Sequence, residues 1–167
     1  FLSLSGFDNL RGGSDVDTFN VSADNTVNLF GGAGDDNFNF IGTAQVDGTI
    51  DGEANGATLN MSAATLAFAD STLTGLGSVT GFAGTTVVGH VTGGFDNITA
   101  MRGQANVNDF LTSDLTTDAV WTVAAVGTNQ TYVTGGRTLI FSGWERLIGG
   151  SGNDTFDVTA TTTEELD

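Results

Sequence analysis

The sequence predicts an all-β chain wound as a right-handed parallel β-solenoid, a β-helix or β-roll with coils of about 20 residues. Three observations lead there. Residues 2–23, LSLSGFDNLRGGSDVDTFNVSA, match residues 139–160, LIFSGWERLIGGSGNDTFDVTA, at 12 of 22 positions and an offset of 137. Glycine-rich loops recur within that long unit: Gly12 to Gly31 is 19 residues, and Gly31 to the degenerate DGEANGATLN at Asp51 is 20. After each loop apolar and polar side chains alternate, the period of a strand with one buried face.

The alternating pairs are Phe19 and Val21, Phe38 and Phe40, Leu59 and Met61, and Phe156 and Val158, with Thr18, Asn20, Asn37, Asn39 and Asn60 between them. Stacked in register, Phe19, Phe38 and Leu59 would form an internal ladder, and each coil would bury its apolar face only against its neighbours. Second strands are expected in TVNLF (residues 26–30) and VWTVAAV (residues 120–126), each after a short polar turn. GGFDNITA begins at Gly93, 42 residues past Asp51, and Gly149 lies 56 further on, so 137 residues divide into seven steps averaging about 19.6. Frequent Gly, Thr, Asn and Asp disfavour helix, and only residues 61–70, MSAATLAFAD, could hold a helical turn. An antiparallel sandwich gives no reason for one loop to return at coil spacing. The whole of 1–167 reads as one unit. The counterpart of Gly31 would be residue 31 + 137 = 168, which suggests an excerpt of a longer array.

Composition narrows the function. Twenty acidic side chains against 4 basic ones give a net charge of −16, which repels nucleic acid and anionic membrane and attracts cations. Carboxylate and carbonyl oxygens suit calcium, whereas a chain with no Cys and a single His lacks the usual zinc ligands. Twelve Phe and regular apolar positions separate it from acidic low-complexity disorder. No stretch reaches transmembrane length, and FLSLSGFDNL lacks the charged and apolar regions of a signal peptide.

GGSDVDTFN (residues 12–20), GGAGDDNFN (31–39) and GGSGNDTFD (149–157) resemble the G-G-x-G-x-D-x-U-x nonapeptide of RTX, or haemolysin-type, calcium-binding repeats, where U is a large apolar residue. Residues 31–39 and 149–157 match every specified position, and Asp15 replaces the third glycine in residues 12–20. Glycines allow positive φ and let carbonyls converge, while the sixth residue supplies charge. The resemblance implies calcium held between loops of neighbouring coils by Asp17, Asp36 and Asp154 and by backbone oxygens of Gly12, Ser14, Gly31, Ala33, Gly149 and Ser151. Asp15 and Asp35 add charge at the same edge, and Asp96 in GGFDNITA is a further candidate. Family rolls carry the motif on both edges; here it occurs at most once per coil, so the other edge is expected to close with ordinary turns. Asp154 would need the loop beginning at residue 168.

Gly and Asp are also ordinary turn residues, but stacking Asp15, Asp17, Asp35 and Asp36 without a cation would be unfavourable. His90 in VVGHVTGG reads as a surface or satisfied residue, and Arg11 and Arg146 as partners of nearby carboxylates. No nucleophile or acid pair stands out, so no enzyme activity is expected. Asn-x-Ser/Thr triplets occur at Asn20, Asn60, Asn97, Asn129 and Asn153. The expected role is a secreted, calcium-stiffened spacer or filament segment of a repetitive bacterial surface adhesin. Its partners would be calcium, stacked repeats or identical subunits, and surface glycans. The alternatives are a carbohydrate-binding or carbohydrate-processing β-helix and a self-assembling filament subunit.

Overall fold

A computed structural model describes residues 6–86, 90–104, 108–125 and 128–159, and the backbone of residues 165–166. Residues 2–5 and 160 of the two repeat copies, and residue 126 of the expected strand 120–126, lie outside the described residues. The described residues form strands and loops with no helix.

The first six strands alternate between two sheets: β1 (Asn9–Arg11), β2 (Thr18–Val21), β3 (Asn28–Phe30), β4 (Asp36–Gly42), β5 (Ile50–Asp51) and β6 (Ala57–Ala64). Odd strands pair in parallel in one sheet and even strands in the other, as in Leu10 to Leu29 to Ile50 and Phe19 to Phe38 to Leu59. The expected ladder is therefore present, and Phe19 and Phe38 stack with centroids 5.0 Å apart. Outward-facing Asn20, Asn39 and Asn60 form a second ladder of side-chain hydrogen bonds, each 3.0 Å long. The extended pattern from Ala57 carries β6 through Ala64, into the one segment, residues 61–70, that left room for a helical turn.

The middle departs from a simple parallel stack. β7 (Ser71–Leu76), β8 (Phe82–Thr86) and β9 (Phe95–Ile98) are an antiparallel triplet in the first sheet, followed by β10 (Ala100–Arg102) in the second and β11 (Phe110–Ser113) in the first. β12 (Ala119–Val123), β13 (Gln130–Thr134) and β14 (Arg137–Ser142) form the matching antiparallel triplet in the second sheet. β15 (Arg146–Ile148), β16 (Asp154–Val158) and β17 (Glu165–Leu166) resume the alternation.

Among the described residues the result is two mixed sheets, nine strands in the order β1-β3-β5-β9-β8-β7-β11-β15-β17 and eight in the order β2-β4-β6-β10-β14-β13-β12-β16. Each sheet is parallel except for one reversed strand, β8 or β13. Counting rungs from the β1 and β2 end, the chain climbs from rung 3 to rung 6 after β6, from 4 to 7 after β10, and from 5 to 8 after β14. The antiparallel strands fill in the rungs passed over. Side chains of both sheets meet in one core, where Phe82 packs on Tyr132 at 5.4 Å and Tyr132 on Trp121 at 4.2 Å.

Two local devices hold the middle. Arg137 donates to the carbonyls of Gly77 and Gly81 at 2.6 and 3.0 Å, tying the β7–β8 turn to the start of β14. Asp109 is fully buried where the climbing segments pass; its Oδ1 accepts from Ala69 N–H at 2.7 Å and its Oδ2 from Gln104 N–H at 2.7 Å. Its backbone N–H donates to Glu145 Oε2 at 3.0 Å.

Candidate metal centre

All the loops that lead from the first sheet to the second lie along one edge, because each begins where a strand of the first sheet ends. Residues 12–17, 31–35 and 52–56 occupy successive rungs there. Backbone hydrogen bonds run between them: Gly12 N–H to Phe30 O at 2.9 Å, Ala33 N–H to Gly13 O at 3.0 Å, Gly31 N–H to Asp51 O at 2.8 Å and Ala54 N–H to Gly32 O at 3.1 Å. The donors come from positions one and three of a loop, and the loop acceptors are position-two carbonyls. The carbonyls of Gly12, Ser14, Gly31 and Ala33 accept no hydrogen bond from the described residues.

The sixth-position carboxylates turn back under their own first glycine. Asp17 Oδ2 accepts from Gly13 N–H, and a Cβ placed on Gly31 would collide with the Asp36 carboxylate. That position must be glycine for the carboxylate to lie there. Gly32 has φ +103° and its missing Cβ leaves room for the Gly13 carbonyl, so the second glycine is needed for both conformation and close approach.

Asp36 is the central acid of this edge. It is fully buried because loops lie on both sides of it, whereas Asp17 and Asp154 are half-buried. Its Oδ1 accepts from Asp17 N–H of the preceding loop at 2.8 Å. Its Oδ2 is buried with no hydrogen-bond partner. A buried carboxylate oxygen left in that state is costly, and an ion or water is the usual explanation. Asp15 and Asp35 are exposed at the rim, and Asp35 Oδ1 accepts from Gly56 N–H at 3.2 Å in the next loop.

Asp154 lies far along the same edge. Its loop, with Gly149 and Ser151, rests on residues 114–118: Ser151 N–H donates to Leu115 O at 3.3 Å and Asn153 N–H to Asp118 Oδ1 at 2.8 Å. Its structural neighbour is therefore the loop of Asp114 and Asp118, which carries no glycine motif to mark it in the sequence. Asp96 is not in such a loop. It sits in β9 directly opposite Asp51, where the preceding Gly93 and Gly94 end the connection from β8 within the first sheet. Its Oδ1 caps Ser78 and Asn97 N–H at 3.0 and 2.8 Å. The motif glycine of that rung is replaced by Asn97, with φ +58°. Its amide bonds Asp51, Ser78, Val79 and Thr80, so this sequon side chain is buried and fully engaged.

The opposite edge closes with turns and holds other acids. Burial raises the Asp70 carboxyl above its usual range, opposed by a hydrogen bond from Phe110 N–H and reinforced by the nearby Asp109 charge. His90 is buried rather than on the surface; burial lowers its pKa, and its Nδ1 lies 2.9 Å from Ala44 O. Arg11 pairs with Glu53 two rungs away at 2.8 Å, while Arg146 stands over the Phe110 ring at 5.2 Å.

Among the described residues no three His, Cys, Asp or Glu side chains converge on one point, so a cation at this edge would rely on backbone carbonyls together with Asp17 and Asp36. Among the described residues no helix is long and apolar enough to cross a membrane. No family model, curated protein or solved structure matches the chain.

Proposed function

We propose that this chain is a structural segment of a secreted, repetitive surface protein, a β-solenoid in which calcium at the glycine-rich edge stiffens the stack. The observation that carries the reading is the buried, unpartnered Asp36 Oδ2, which lies beside Gly31 in a loop whose Gly31 and Ala33 carbonyls accept nothing from the described residues. Asp17, Asp36 and the carbonyls of Gly12, Ser14, Gly31 and Ala33 would hold the ion. Its charge would offset the crowding of Asp15, Asp17, Asp35 and Asp36, and binding only to the folded loops would draw the chain toward the folded state. Affinity of about 10⁻⁴ to 10⁻³ M would suit calcium-rich surroundings outside the cell.

A carbohydrate-binding face has less support. Trp121, Trp144 and Tyr132 are all buried, and Phe7 and Phe68 are exposed singly, so no aromatic platform lines either sheet among the described residues. Among the described residues the outward positions carry Thr and Asn together with aliphatic Ile41, Val120, Val133 and Ile140.

The test is circular dichroism and thermal melting with calcium and with chelator, on the native chain and Asp36→Asn. Calcium should raise the Tm of the native chain by several degrees, and the Asp36→Asn chain should lose most of that gain. A native Tm and β signal that chelator leaves unchanged would remove the metal from this account.

A further inference from the structure

The two copies of the internal repeat lie at equivalent places in the stack and differ in what covers them. The offset of 137 carries β1 onto β15, β2 onto β16 and β3 onto β17. Along the first sheet β1 to β15 is seven strand steps, and along the second β2 to β16 is also seven. The pairing that follows is the same in both copies: Asn9 opposes Asn28, and their counterparts Arg146 and Glu165 oppose each other.

What precedes each copy is not the same. β15 and β16 sit on β11 and β12, with Leu147 opposite Leu111, Thr155 opposite Val120, and Phe156 stacked on Trp121 at 5.7 Å and 10°. The corresponding edge of β1 and β2 has no strand against it among the described residues. The consequence appears residue by residue. Leu147 is 0% exposed and its counterpart Leu10 is 37%, while Trp144 is 1% and its counterpart Phe7 is 50%. An opening of about 450 Å³ at that end is lined by Leu10, Phe19, Val21, Val27 and Leu29, and the residues opposite Phe19 and Val21 one rung further in, Phe38 and Phe40, are fully buried.

We propose that the β1 and β2 edge is a docking surface for the β11 and β12 edge of another copy of the same repeat. Subtracting the offset from the observed pairs sets the register: Leu111 against Leu10, Val120 against Thr18, and Trp121 on Phe19. The occupant is a copy joined in tandem, because β11 and β12 of one chain already carry β15 and β16, and residues 6–22 of the next copy take the place that residues 143–159 hold here. An open row of strand hydrogen-bonding groups beside an apolar opening needs such a cover. This deepens the structural reading above and rests on it only for the premise that the chain is a scaffold; it does not require calcium.

The test is a two-copy protein in which residues 2–138 precede residues 2–167, with Val120→Cys in the first copy and Thr18→Cys in the second. Val120 is exposed, as are Thr18 and Thr155, so the pair can be oxidised without opening the core. A single chain carrying Val120→Cys and Thr155→Cys, whose residues are already opposite each other, is the control. The two-copy protein should close its disulfide as fully as the control, and its longest dimension in X-ray scattering should exceed that of the single chain by about 34 Å, seven strands at about 4.8 Å each. Open cysteines alongside a closed control, or a two-lobed particle with the melting temperature of the single chain, would overturn the docking. Equal closure when Asn20→Cys replaces Thr18→Cys would overturn the register. Repeating the oxidation in chelator separates the two readings: a disulfide that forms without any calcium response discards the metal alone, and a calcium response with open cysteines discards the docking alone.

Discussion

Asp36 differs from Asp17 and Asp154 in a way the motif does not reveal: loops lie on both sides of it, so the same side chain is fully buried in one copy and half-buried in the others. The glycine spacing made the candidate carboxylates legible, because Gly-Gly followed by Asp-x-Phe names both the turn and the strand. It also offered Asp96, but GGFDNITA leads into the first sheet, where Asp96 is a strand residue facing Asp51 rather than part of a loop at the glycine edge. His90 was harder to read, because a lone imidazole between glycines has no pattern to mark it as core. Its burial has a consequence for pH. Burial holds the folded pKa below 6.5, so at intermediate pH the unfolded chain binds a proton that the folded chain refuses. Stability from this residue is complete above 6.5 and is lost as pH falls below that value. In chelator, the Tm should therefore drop between about pH 7 and pH 5, and His90→Gln should flatten that part of the profile. Parallel Tm profiles for the two proteins would show that other groups set the slope.

At the scale of elements, the strands that follow the glycine loops were legible, while β7 and β8 had no loop to mark them. Strand directions were not legible at all, because period-two alternation is the same for a parallel and an antiparallel neighbour, and nothing in FAGTT says that it runs backwards against STLTGL. The expected 26–30 and 120–126 strands are β3 and β12, yet β12 opens an antiparallel triplet rather than another coil. Such triplets oblige the chain to climb three rungs at a time, and the climbing segments must be held together. Asp109 does so, receiving Ala69 and Gln104 N–H groups from two of them and contacting Glu145 in the third. Asp109→Asn would turn an amide NH₂ toward one of those donors. It should cost about 3 kcal/mol, from one charge-assisted hydrogen bond and the donor left unpaired, measured by urea unfolding. A midpoint within error of the native chain would mean that these segments are held by the adjoining strands alone.

Across the whole molecule the number seven survived while the path did not. Dividing 137 residues by the loop spacing anticipated seven steps, and both sheets do advance by seven strands between the repeat copies. They do so by two single steps, three climbs of three rungs and two returns of two, rather than by seven successive turns. A plain stack of coils can unravel one coil at a time, but here rungs 4 to 8 each depend on strands distant in sequence. In hydrogen exchange, amides of β7, β8, β10, β13 and β14 should share one slow rate set by global unfolding, with faster exchange in β1 and β2. A smooth gradient of rates from one end through the middle would show that the climbs do not couple the rungs.

The equal advance of the two sheets also bears on how such a protein could change length over generations. A unit that moved one sheet by seven strands and the other by six would leave a mismatched joint whenever it was duplicated or lost. Because both sheets gain the same whole number, a duplication or loss with its ends at matching positions of the repeated segments at residues 2–23 and 139–160 would add or remove rungs without a seam. Longer and shorter rods would then be equally well folded, and length could be selected for reach alone.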